Sequence, residues 1–402
     1  MFNINKFISQ YVIERDESLF KNDIDNNFDK LQKKIKGKSL LVIGGAGSIG
    51  SSFIKACLPF EPSSLVVVDV NENGLAELSR DIRSTKNLYV PNDYIPYPIN
   101  YSSSTFEKLF RSRDGFDIVA NFSAHKHVRS EKDIYSIEAL LQNNVINAKK
   151  LLDLLVSFPP ETYFCVSTDK AANPVNIMGA SKRIMEDVIF AYSDSFPIKT
   201  ARFANVAFSN GSLPAGFLDR ISKLQPISAP SDVRRYFVSP QESGEICMLS
   251  CMLGNTRDIF FPKLDESKMK TFSDISNNLL RELGFTPLLC KSDKEALLKA
   301  DDLKNGSHNY PVYYSLSDTT GEKQFEEFYT SDESVCMNKF KSLGIVSKTE
   351  KKDIKDIELF IDKLVKEFSS DTTSKDQVVN ILKSFLPNFV HEEMGKSLDA
   401  KM

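Results

Sequence analysis

Two stretches of this sequence hold residue types whose spacing could do chemistry. In the first, Leu40-Leu41-Val42-Ile43 runs into Gly44-Gly45-Ala46-Gly47-Ser48-Ile49-Gly50, with glycines at 44, 47 and 50. Glycine permits positive φ and lacks the Cβ that would hold a diphosphate at a distance. A helix opening at Ser48, Ile49 and Gly50 would offer that anion free N–H groups and its positive dipole end. Asp69 ends the next apolar run, where a carboxylate would accept hydrogen bonds from an adenosine ribose. An acid there favours NAD over NADP, whose 2′-phosphate it would repel. The second stretch is Thr168-Asp169-Lys170, followed by Met178 and Lys182. Free Asp and Lys titrate near ~3.9 and ~10.4. Side by side, each stabilises the other's ionised form. Acid–base work near neutral pH therefore needs burial that overrides the attraction, or a proton shared by the pair.

The rest of the composition removes other classes. The chain has 402 residues, with 51 Lys+Arg against 54 Asp+Glu, a formal net charge of −3. A protein that lives on nucleic-acid backbone contacts would be basic or carry a basic stripe. Hydrophobic content of 41% and charged content of 26% fit a soluble globular protein and exclude wholesale disorder. The six cysteines (Cys57, Cys165, Cys247, Cys251, Cys290, Cys336) show no CxxC spacing, and the four histidines (His125, His127, His308, His391) no HExxH. No metal site is expected. The longest apolar stretches fall far short of the ~20 residues that span a bilayer, and residues 1–38 lack the apolar core of a signal peptide. A cytoplasmic enzyme without membrane or nucleic-acid partners is expected.

These chemical residues need a scaffold, and the hydrophobic pattern supplies one. Leu40–Ile43, Leu65–Val68, Ile118–Ala120, Tyr163–Val166 and Lys199–Arg202 are strand-like apolar runs. Amphipathic stretches alternate with them, notably Ser48–Cys57, Gly74–Arg83, Glu138–Val156 and Asn176–Tyr192. This rhythm predicts an α/β fold: a Rossmann-type, doubly wound parallel sheet. After residue 205 the rhythm breaks. A smaller interleaved α/β domain is expected there, with extra helices at both termini. The expected division is a helical arm at 1–37, with apolar positions Phe20, Ile24, Phe28, Leu31 and Ile35. A cofactor domain follows at 38–207, with a return segment at 236–262. A substrate domain takes 208–235 and 263–345, and a C-terminal helical extension 346–402, including an amphipathic helix at 353–368.

The stretch Ser167-Thr168-Asp169-Lys170-Ala171-Ala172-Asn173-Pro174-Val175-Asn176-Ile177-Met178-Gly179-Ala180-Ser181-Lys182-Arg183 resembles the extended short-chain dehydrogenase/reductase superfamily. Within it, the likeness is to the bacterial nucleotide-sugar 4,6-dehydratases of surface-polysaccharide synthesis, which act on UDP-N-acetylglucosamine. Other blocks agree: Asn121-Phe122-Ser123-Ala124-His125-Lys126-His127-Val128 is similar to the loop beside the nicotinamide. Arg202-Phe203-Ala204-Asn205-Val206, Gly211-Ser212, Arg235-Tyr236-Phe237 and Gly321-Glu322-Lys323-Gln324-Phe325-Glu326-Glu327 also match. The likeness covers roughly 37–345. The chain departs from it at Asn100-Tyr101, where an amide replaces the usual acid at the adenine, and at Ala204. It departs again after the Lys126-His127-Val128 loop, where the expected acidic residue is displaced and Glu131 is its nearest equivalent, and at Thr319-Thr320, which replace Arg-Pro.

The resemblance implies a three-step reaction on one nucleotide sugar: oxidation at C4, loss of water across C5 and C6, and reduction at C6, with NAD regenerated. It implies that Asp169 protonates the departing O6, Lys170 removes H5, and Thr168 bonds near O4. Lys182 would contact the nicotinamide ribose, and Gly44, Gly47, Ser48, Ile49, Gly50, Asp69, Asn100, Ser123 and Ala124 the rest of the cofactor. Lys126, Asn205, Ser212, Arg235 and Glu322 are the expected substrate contacts, with Arg235 open between a diphosphate ligand and a salt-bridge partner. Met178 stands where most of the superfamily has Tyr, and a thioether transfers no proton. Asp169 or Lys170 is then expected to take the O4 proton through Thr168. Four alternatives stay open: a 4-epimerase, a GDP-sugar substrate, C5 inversion, and a silent NAD-binding regulator. A homodimer or higher homo-oligomer is expected. On this reading Met178→Phe keeps much of the activity and Lys170→Met abolishes it, measured by product formation. Near-total loss with Phe, at intact NAD binding, would contradict it.

Overall fold

Each apolar run pairs with its neighbours in one sheet, and a computed structural model describes residues 2–317 and 326–391 of the chain. Strands β1 (Ser39–Ile43), β2 (Ser64–Val68), β3 (Asp93–Tyr97), β4 (Ile118–Asn121), β5 (Thr162–Val166), β6 (Ile198–Ala201) and β7 (Ile259–Pro262) run parallel. Two antiparallel strands, β8 (Val335–Cys336) and β9 (Leu343–Val346), complete the edge. The spatial order is β8-β9-β7-β6-β5-β4-β1-β2-β3. Successive side chains of β1 enter opposite cores: Leu41 and Ile43 pack on one face, Leu40 and Val42 on the other. Both faces are covered, as a parallel sheet requires. Each fully buried Leu, Ile or Val contributes about 1.5–3 kcal/mol.

The helices α1 (Phe28–Ile35), α2 (Ser48–Cys57) and α3 (Ile177–Ala191) follow the expected pattern, joined by α4 (Pro240–Leu253), α5 (Ile354–Phe368) and α6 (Lys375–Phe385). The Glu138–Val156 helix is in fact three pieces: Ile134–Leu141, a π-helical turn at Gln142–Ile146, and Asn147–Ser157. Strand β3 does not stand out as an apolar run, because Pro96 interrupts it; a proline is tolerated there since β3 lies at the sheet edge.

The expected domain division needs correction at two places. β8 and β9, placed by sequence in the substrate domain and its border with the extension, belong to the main sheet: Leu343–Val346 pairs with Ile259–Pro262. The N-terminal arm is no separate unit. Phe7, Ile8, Val12 and Ile13 enter the core of the second unit, whereas Phe20, Leu31 and Ile35 enter the main one. Phe28 is half exposed and lies against the Phe60 ring. The second unit is built on a parallel sheet of Thr286–Leu289, Asn309–Ser315 and Ile227–Pro230. Among the described residues no helix is long and apolar enough to cross a membrane.

Helix α4 crosses α2 at a glycine. A Cβ on Gly244 would lie 2.2 Å from the Ser52 carbonyl oxygen and 2.8 Å from the Phe53 nitrogen. Backbone cannot yield as a side-chain tip can. Gly244→Ala is expected to cost about 1–3 kcal/mol, read as a lower midpoint in urea unfolding. An unchanged midpoint would show that the helices separate freely.

Candidate active site

The carboxyl ends of β1, β4 and β5 lie side by side, with Ile43 opposite Asn121 and Asn121 opposite Cys165. Three functional segments therefore leave the same edge of the sheet, where open α/β sheets gather their ligands. After β1 comes the glycine turn. Gly44 has φ +73°, and its missing Cβ would lie 2.6 Å from Ser123 N, so the turn packs directly on the β4 loop. A Cβ on Gly50 would lie 2.4 Å from Gly44 O. At Gly47 an added Cβ would meet only Gly44 O, at 3.3 Å, which leaves the outer side of the turn bare. Gly47 caps α2 without a side-chain hydrogen bond. Asp69 accepts hydrogen bonds from Ala46 N (3.0 Å) and Asn71 N (2.9 Å), which fixes its carboxylate beside the turn.

After β4 comes the Ser123–Ala124 loop. Ser123 N donates to Asn121 and its hydroxyl to Asn143 of the π-helical turn (3.4 Å). Asn144, on the same turn, clamps both the N–H and the carbonyl of His125 at 2.9 Å. A π-turn widens the helix by one residue per turn, and here two amides reach the loop. Asn100 spends its carbonyl oxygen on Ser102 (2.9 and 3.0 Å), so only its NH₂ remains for a ligand.

After β5 comes the acid–base segment. Thr168 Oγ1 donates to Asp169 Oδ1 at 2.7 Å, and Lys170 Nζ lies 3.2 Å from both carboxylate oxygens. Asp169 is buried, whereas the Lys170 side chain remains partly exposed. Beneath them Ser167 donates to Glu186 (2.6 Å), and the fully buried Arg202 forks onto Glu186 and Glu333. Burial works against ionisation of Glu186, but Arg202 outweighs it and holds the carboxyl below its usual range.

A second carboxylate stands beside this segment. Glu326 is buried, receives Tyr236 N at 3.1 Å and the Asn205 amide, and lies 4.0 Å from Arg235 Nε. Burial, then the like charge of Asp169, raise its pKa to about 7 against the pull of Arg235. The family motif that Glu326 shares with Glu322 left both residues open between organising the substrate domain and touching a ligand. Arg202 and Glu186 were missed because a pair formed between a helix and the end of the next strand leaves no spacing signal in the sequence.

The sequence-expected residues are distributed as follows. Gly44, Gly47, Ser48, Ile49, Gly50, Asp69, Ser123, Ala124, Thr168, Asp169 and Lys170 share one edge. Lys126 Nζ donates to Asn210 O (2.9 Å), and Asn210 N donates to Ser48 Oγ (2.9 Å), so the 208–212 loop spans the turn. Protein packed around the Lys126 ammonium lowers its pKa. Asn205 and Arg235 gather at Glu326. Ser212 caps the helix Leu213–Ser222. Glu322 lies outside the described residues. Two residues face elsewhere than expected. Met178, 3% exposed, sits in the main core. Lys182 gives its ammonium to Val166 O at 3.0 Å, since a buried lysine must satisfy its donors internally, and burial lowers its pKa.

Residues 40–348 match the family described as polysaccharide biosynthesis protein. The chain is 27% identical over 279 residues to a probable polysaccharide biosynthesis protein of Bacillus subtilis, covering 68% of this chain and 45% of that protein, and so spans less than half of that relative. It is 27% identical over 333 residues to a Rickettsia conorii UDP-glucose 4-epimerase, covering 75% of this chain and 93% of the other. Against a UDP-N-acetylglucosamine 4,6-dehydratase (inverting) of Campylobacter jejuni it is 24% identical over 293 residues, covering 70% and 83%. The fold matches a dTDP-glucose 4,6-dehydratase of Streptomyces venezuelae solved with NAD bound, at TM-score 0.53, 19% identity and coverage of 72% and 87%.

The raised Glu326 carboxyl makes stability pH-dependent with a definite sign. Its folded pKa exceeds the unfolded value of about 4.3, so the folded state holds a proton that the unfolded state releases. That contribution is full below about pH 4 and lost as pH rises toward 7. Between pH 5 and 8 the wild type is expected to lose up to about 3 kcal/mol more than Glu326→Gln in urea unfolding. Parallel pH slopes would contradict the assignment.

Proposed function

The chain belongs to the polysaccharide biosynthesis protein family, and from that premise we propose that it is an NAD-dependent nucleotide-sugar 4,6-dehydratase. UDP-N-acetylglucosamine is the leading substrate, and the product is its 4-keto-6-deoxy derivative. The observation that carries this reading is the Thr168–Asp169–Lys170 cluster beside a core-buried Met178: proton carriers for an elimination are in place, and the phenol that epimerases of this fold keep is absent.

The glycine turn fits a dinucleotide. Its bare face at Gly47 and the uncapped start of α2 would take the pyrophosphate, and Asp69 the adenosine ribose. Ser123 and Ala124 would border the nicotinamide. A bound nicotinamide supplies reversible two-electron oxidation of the sugar carbon.

The chain's own residues then move protons. Thr168 bonds O4 and passes its proton to Asp169, which stands 2.7 Å behind it. With C4 a ketone, H5 is acidic, and Lys170 removes it while Asp169 returns its proton to O6, so water leaves. Lys170 finally returns a proton to C5. The cycle balances if Lys170 starts as the neutral amine. Glu326, protonatable near neutrality and electrostatically linked to Asp169 and Lys170, is able to hold the proton it sheds. Asn205 serves either state of Glu326, because an amide presents donor or acceptor by turning over.

Incubation with UDP-N-acetylglucosamine, followed by NMR of the product, tests the reading. The expected product carries a C6 methyl group and a C4 ketone. Met178→Leu, which preserves core volume better than Phe, is expected to keep activity within about threefold, and Lys170→Met to remove it. A C4 epimer, or no turnover with either UDP- or GDP-N-acetylglucosamine, would overturn the reading.

A further inference from the structure

The C-terminal extension lies outside the family match, yet it reaches the catalytic segment. Helices α5 and α6 lay Ile357, Phe360, Ile361, Leu364, Val378 and Leu382 on the main core. Phe389, also buried there, delivers the next turn of chain to Glu131. His391 Nε2 stands 3.5 Å from Glu131 Oε2, with both side chains over nine-tenths buried. Neither atom has a hydrogen-bond partner among the described residues. Lys375, at the start of α6, donates to the Glu131 backbone carbonyl at 3.4 Å. The extension thus grips one residue twice.

Glu131 in turn holds the catalytic helix. Its Oε1 accepts Met178 N at 2.9 Å, in the first turn of α3, where N–H groups lack partners inside the helix and a negative charge suits the dipole. That turn abuts the base: a Cβ on Gly179 would lie 2.7 Å from Lys170 O. A continuous path therefore runs from His391 through Glu131 and the Met178–Gly179 turn to the Lys170 backbone. The two facing atoms attract only if Nε2 carries a hydrogen, because an unprotonated Nε2 would set lone pair against carboxylate.

We propose that His391 and Glu131 are positioning residues for the reaction, through which the C-terminal extension fixes the first turn of α3 and, with it, Lys170. The consequence for rate rests on the dehydratase reading; the mechanical link does not. The test uses the full chain. His391→Ala is expected to raise hydrogen exchange at the Met178 amide and to lower kcat about 10- to 100-fold, with KM changed less than about twofold. His391→Gln, whose amide restores a donor, is expected to recover most of that loss. In a Glu131→Ala background, His391→Ala should add no further effect, because the path is already cut. Unchanged Met178 exchange in His391→Ala, or fully additive effects, would overturn the proposal. If the wild type forms no dehydrated sugar, the dehydratase reading fails and the exchange measurement still decides the link.

Discussion

The Asp169 carboxylate, held at 2.7 Å by the Thr168 hydroxyl and at 3.2 Å by Lys170 Nζ, is the interaction around which the rest is arranged. A buried carboxylate is stable only when its neighbours satisfy it, and a reacting one must also be free to gain a proton. Those demands conflict. Below Asp169, the structure keeps charge fixed: Arg202 joins Glu186 and Glu333 and anchors Ser167, so the strand end cannot drift. Beside it, charge is left adjustable in Glu326, which burial and the neighbouring Asp169 push toward neutrality. A rigid ion network and a titratable one therefore flank the same segment.

Much of this scaffold was legible because each parallel strand is a short continuous apolar run. β3 was hidden by Pro96, and β8 and β9 by their brevity and by Gly344, which leaves room for the Phe261 ring. The π-turn at Gln142–Ile146 left no trace, because five residues within an unbroken helical pattern carry no distinct period. At the site, the glycine turn and Asp169-Lys170 were legible because their partners are adjacent in sequence. Glu326 with Asn205, Arg202 with Glu333, and Glu131 with His391 were not: each pair is separated by well over a hundred residues. The directions of Met178 and Lys182 were hidden as well, since a motif fixes the backbone position but not whether the side chain faces core or cleft.

Residues 2–39 and 349–391 lie outside the family match of 40–348, and both stretches pack against the matched region. The N-terminal arm places Phe7 in the second core and Phe20 in the main one, and forks Arg15 onto Glu242 of α4 at 2.6 Å. The two units are thus tied by the arm. The C-terminal helices cover the opposite face of the sheet from α2 and α4 and reach Glu131. In the proposed reaction the matched region supplies the chemistry, and the stretches on either side of it restrain the elements that carry it.

The central claim is that Asp169 and Lys170 drive an elimination rather than a return of hydrogen to C4. UDP-N-acetylglucosamine deuterated at C4 tests it most directly, with NMR of the product locating the label. The account predicts deuterium on C6 of a 4-keto-6-deoxy sugar, and loss of that product in Lys170→Met. Deuterium recovered at C4 of an epimerised sugar would contradict it.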